Sequence, residues 1–149
     1  MSAEENKAML RRLLDALNTG DMDVVGELFT PELAEQAKKG FTAYRSAFPD
    51  WREEIVEVVA EEDTVAARLK CSGTHRGEMM GIAPTGRHME VDEVYFLRVQ
   101  EGKFVEFWGL EDNLTRMRQI GLLAPRPVAV ARMLAYYAKK LSARLRQRG

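Results

Sequence analysis

Apolar residues recur every three or four positions over the first third of the chain and every second position over its middle, which predicts helices followed by strands. Ser2 and Glu5 form a capping box ahead of Leu10, Leu13, Leu14 and Leu17, a stripe that ends near Gly20. Asp21 or Asp23 caps a second, short helix with Val24, Val25, Leu28 and Phe29 inward, and the two helices make a hairpin. Pro31 suits the first turn of a further segment, whose weaker pattern runs through Ala37, Phe41, Tyr44 and Ala47 and is interrupted by Gly40. Phe48-Pro49-Asp50 ends the helical third, because a residue before proline is pushed out of the α region.

From Trp51 onward β-formers dominate, with strands expected at residues 52–60, 64–74, 90–100 and 104–111 and a helix at 113–120. Glu61-Glu62-Asp63 and Glu101-Gly102-Lys103 are breaks of hairpin length, so the strands they join are antiparallel. Gly77, Gly81, Pro84 and Gly86 mark a turn-rich loop that also holds Met79, Met80 and Ile82. Apolar side chains in such a loop either tuck over the sheet or wall a ligand cavity.

A length of 149 residues suits one domain, read as a body over 1–124 and a tail over 125–149. From Arg126 onward there are seven Lys or Arg and no acid, against a net charge of -1 for the whole chain. Val130, Met133, Leu134, Tyr137, Leu141 and Leu145 keep a helical period there, so the tail reads as a basic amphipathic helix packed on the body or on a partner chain. A lone Cys71 excludes an internal disulfide framework, and neither a basic, apolar leader nor an apolar run of about 18 residues is present. These features predict a cytoplasmic protein that engages neither membrane nor nucleic acid.

His75, His88 and Cys71 lack metal-ligand spacing, the GEMMGIAPTG run opens no helix, and no G-x-S-x-G elbow supports a serine nucleophile. Along the last strand Glu106, Trp108, Leu110 and Asp112 share one face, opposite Val105, Phe107 and Gly109. Asp112 at the start of a helix is either its cap or an acid presented at the strand's end. Trp51, Tyr95, Phe96 and Trp108 belong to the core or to a cavity wall.

The segments FPDW, EEDTVAARLKCSGTHRGEMMGIAPTGRHM and FLRVQEGKFVEFWGLED, with LTRMRQIG following, together resemble the SnoaL-like polyketide cyclase (ester cyclase) family of the NTF2-like superfamily. The resemblance spans residues 48–122. It implies an α+β cone, with N-terminal helices packed in a strongly bent, mainly antiparallel sheet around an apolar cavity. It also implies Asp112 as the general acid/base of an intramolecular aldol cyclisation of a small hydrophobic carbonyl compound, with no metal or cofactor. His75, in a Gly-Thr-His signature, would donate to a substrate carbonyl. Arg98 stands where characterised cyclases carry histidine, and would pair with Asp112 or clamp a substrate oxygen. Trp108, Phe96, Tyr95, Met79, Met80 and Trp51 would contact substrate, in a homodimer joined through the outer sheet face. The competing readings are a noncatalytic binding or assembly domain and, further off, an epoxide hydrolase-like enzyme, whose first Asp is replaced here by Gln100.

Overall fold

Ser2 and Glu5 satisfy each other's free backbone N–H groups and open α1 (Ala3–Thr19), which Gly20 closes in the left-handed region at φ 80°. The computed structural model describes residues 2–123, 131 and 134–138. Asp21 caps α2 (Met22–Leu28) through the N–H groups of Asp23 and Val24, and Pro31 begins α3 (Pro31–Ala47), which runs unbroken through Gly40. Leu10, Leu13, Leu14 and Leu17 are buried, so α1 delivers its whole apolar stripe to the core. Helix α3 buries only Ala34 and Ala47 completely.

Strands β1 (Arg52–Glu61), β2 (Thr64–Thr74), β3 (His88–Gln100) and β4 (Lys103–Glu111) follow in one antiparallel meander of order β1-β2-β3-β4. The third strand starts two residues earlier than its pattern predicts. Glu101 and Gly102 both have positive φ, the backbone that a two-residue hairpin turn requires. One face of the sheet is packed: Val65, Ala67, Leu69 and Cys71 from β2 and Met89, Val91, Tyr95, Leu97 and Val99 from β3 close on α1 and α2. Helix α4 (Asn113–Gln119) follows β4, and its Gln119 amide pairs with both backbone groups of Glu90 where β3 has outrun its neighbour.

A register shift at Arg98/Val99 sets Glu106 opposite Arg98 but Phe104 opposite Val99, leaving Val105 as the extra residue of a bulge. Phe104 before the bulge and Phe107 after it therefore both face inward, and from there the inward row is Phe107, Gly109 and Glu111. Gly109 gives the Tyr95 ring room, since a Cβ there would lie 3.2 Å from it. Leu134, Tyr136 and Tyr137, in the tail, are exposed; the expected packing of that tail rests otherwise on residues outside those described.

Candidate active site

Seven residues of α3, Leu33, Gln36, Ala37, Gly40, Phe41, Tyr44 and Arg45, follow a 3-4 spacing on one helix face. That face closes a cavity of about 260 Å³ rather than the core. Leu17, Trp51, Tyr95 and Phe107 supply the opposite apolar wall, and Glu53 and Glu93 are its two acids.

Both acids come from inward positions of the sheet, Glu53 two residues before Ile55 on β1 and Glu93 between Val91 and Tyr95 on β3. Glu53 is 3% exposed. Its Oε1 accepts from the Trp51 indole N–H at 2.9 Å and from the Tyr95 hydroxyl at 3.1 Å, while Oε2 has no partner among the described residues. Burial pushes the Glu53 carboxyl up to about 6, against those two donors. Burial, followed by the charge of Glu53, pushes Glu93 up to about 8. Glu93 accepts from the Cys71 thiol at 3.2 Å, and that buried thiol is itself held far above its ordinary range. The pair therefore shares one proton near neutral pH, the condition for an acid and a base side by side.

Atoms of Glu53, Cys71 and Glu93 lie within 4.8 Å of one another, close enough to converge on a cation. That set was not visible as a spacing motif, because its members come from three strands. The thiol and the raised Glu93 carboxyl keep their protons near neutral pH, so a cation would have to displace them.

A second polar group borders the cavity at Tyr44. Its hydroxyl donates to Glu111 at 2.6 Å and accepts from Arg116 at 2.6 Å, and Arg116 also binds Glu111 at 3.0 Å and Asn113. Arg116 and Glu111 are both buried, and the guanidinium lies over the Tyr44 ring. This ion pair ties α4 and the end of β4 to the cavity wall.

The structure corrects the placement expected for Asp112. Its carboxylate is exposed and caps α4, accepting from the Thr115 N–H at 2.9 Å and the Thr115 hydroxyl at 2.7 Å, which hold it below the usual carboxylate range. The bulge at Val105 is the physical reason: it turns Phe107 and Glu111 inward and their neighbours outward. Arg98 does not meet Asp112. It pairs on the outer face with Glu106 and Asp63, whereas Asp112 sits level with Asp92, six residues and roughly 20 Å along the strand.

His75 is fully buried beside Phe48, away from the cavity lining. Its Nδ1 accepts from the Thr85 N–H, so it fastens the loop between β2 and β3. Met79 packs on the core, Met80 is 86% exposed, and neither lines the cavity. Phe96 and Trp108 meet edge to face on the outer side of the sheet, about half exposed. Tyr95 and Trp51 line the cavity and hold Glu53. The residues that the sequence reading missed are Glu53, Glu93 and Tyr44. Glu93 had a signal: it is the one acid in the inward row Met89, Val91, Glu93, Tyr95, Leu97, Val99.

Comparison with known proteins places the chain. The family model for SnoaL-like polyketide cyclase matches residues 7–120. Aklanonic acid methyl ester cyclase AcmA of Streptomyces galilaeus is 31% identical over 131 residues, covering 78% of this chain and 91% of its own. Nogalonic acid methyl ester cyclase of Streptomyces nogalater is 28% identical over 123 residues, covering 73% of this chain and 92% of its own. Among solved structures, AclR, a hydroxylase candidate from Streptomyces galilaeus, matches with a TM-score of 0.79 at 30% identity over 96% of this chain and 98% of its own. IdmH of Streptomyces antibioticus matches with a TM-score of 0.70 at 29% identity over 78% of this chain and 98% of its own.

Proposed function

The chain belongs to the SnoaL-like polyketide cyclase family, and from that premise we propose that it closes a ring in a small hydrophobic carbonyl compound, using Glu53 as base and Glu93 as acid. One observation carries this reading: a carboxyl pair that holds a single proton near neutral pH borders an apolar cavity. Ionised Glu53 takes a proton from a carbon flanked by carbonyl groups. The resulting enolate carbon forms a bond to a second carbonyl carbon of the same molecule, whose C=O electrons move to oxygen. Protonated Glu93 donates to that alkoxide, and the proton on Glu53 passes to Glu93, restoring both groups. The cavity's share is to fold the substrate so that the two carbons meet, and a placed acid/base adds roughly 10²- to 10⁴-fold.

The test is turnover of aklanonic acid methyl ester, the compound in the names of the curated relatives, followed by mass and absorbance. Cyclisation leaves the mass unchanged. A product heavier by one oxygen atom would overturn cyclisation in favour of hydroxylation, the reaction suggested for AclR. Glu53→Gln and Glu93→Gln should each lose roughly 10²- to 10⁴-fold in kcat. Full activity in both would remove the pair from the chemistry.

The outer sheet face, with Val56, Val59, Phe96, Trp108 and Leu110 exposed, supports a homodimer joined there. A monomeric mass in solution would refute it. Among the described residues no helix is long and apolar enough to cross a membrane, and the free, buried Cys71 fits our placement of the protein in the cytoplasm.

A further inference from the structure

Glycine is a poor choice inside a helix, because it loses more backbone freedom than any other residue and packs nothing. Gly40 nevertheless stands in the middle of α3, and no neighbour explains it: a Cβ there would meet no atom within 4 Å. The residue is exposed to solvent and also lines the cavity, so the cavity opens outward at this point in the α3 wall. Gln36, one turn earlier, is likewise both exposed and lining. Ala37 and Phe41 flank the gap on the same helix face.

The cavity's size gives this opening a use. At about 260 Å³ it lies below the roughly 300–1,000 Å³ of sites that enclose drug-sized ligands. A larger compound with its reacting carbons beside Glu53 and Glu93 must leave part of itself outside. We infer that Gly40 is a specificity-determining residue: the missing side chain forms a portal through which an apolar ring or chain of the substrate extends across the α3 wall. The inference rests on the cavity being the substrate site and adds where the substrate exits and what admits its length.

Alkyl esters of 4-hydroxybenzoic acid, from methyl to dodecyl, test this by keeping one head group and lengthening the tail. Their binding is measured by calorimetry to the wild type, to Gly40→Ala and Gly40→Leu, and to Thr42→Leu, which adds bulk on an exposed part of α3 that is not in the cavity lining. Filling a gap that a ligand occupies weakens binding by roughly 5- to 150-fold. That loss is expected for the dodecyl ester with Gly40→Leu only, and binding of the methyl ester should stay within about threefold in all four proteins. Gly40→Ala should melt at or above the wild-type temperature, because a better helix former replaces glycine and its Cβ meets no neighbouring atom within 4 Å. Equal weakening along the whole series, no weakening at all, or a lower melting temperature for Gly40→Ala would overturn the portal. A wild type that binds no member of the series would instead sink the reading of the cavity itself.

Discussion

Two limbs of a pH profile offer a direct test of the carboxyl pair. With ionisations at about 6 and about 8, the singly protonated pair predominates at pH 7 and becomes a minor species near pH 5 and pH 9. kcat/KM for cyclisation should therefore fall roughly tenfold on either side of a neutral maximum. The acid limb reports protonation of the base and the alkaline limb loss of the acid's proton. Glu53→Gln removes the base and should flatten the acid limb along with its large loss of rate, while Glu93→Gln should flatten the alkaline limb. The assay is initial rate at sub-saturating substrate across the range, in buffers of constant ionic strength. A profile still rising at pH 9, or both limbs surviving in both variants, would refute the assignment. So would Asp112→Asn abolishing turnover while the two Glu variants keep it.

Stability supplies the remaining expectations. A carboxyl raised in the fold favours its protonated form, so Glu93's contribution is complete below the ordinary carboxylate range and is lost as pH rises through about 8. Glu93→Gln should therefore gain on the wild type by a few kcal/mol between about pH 5 and pH 8, read from urea unfolding at each pH; parallel curves would contradict this. Arg116→Met leaves Glu111 as a buried charge without its cation and should cost about 3–5 kcal/mol in the same assay, and a loss under about 1 kcal/mol would show that the pair is not buried as described. Asp112→Ala should cost no more stability than the loss of one exposed helix cap, with kcat within about threefold of wild type.

The element order was legible because each signal lies within a few residues of itself. The Ser2 and Glu5 box, the leucine stripe of α1, the Asp21 cap and the Glu101-Gly102 turn all form locally, and each stands where the pattern put it. The family was legible too, from several motifs in order. What failed was the choice of face on β4. Strand parity groups Trp108 with Asp112 correctly, but only the partner strand reveals that Val105 is an extra residue. Helix α3 misled in the same way: its weak apolar stripe is that of a cavity wall rather than a core element. Cys71, Glu53 and Glu93 meet across three strands, a proximity that exists only once the sheet has formed.

Three inward glutamates in so small a core would repel one another if treated alike, and the fold treats each differently. Glu111 faces a full cation, Arg116, and a phenol. Glu53 accepts from two neutral donors, and Glu93 accepts from a thiol. A guanidinium stabilises a carboxylate best, neutral donors less, and a thiol least. The partner series thus runs from an ion pair that fastens α4, through a group balanced near neutrality, to one that keeps its proton. The last two border the cavity, where burial raises both carboxyls and the charge of Glu53 raises Glu93 further, and that asymmetry separates a base from an acid on two side chains of identical chemistry.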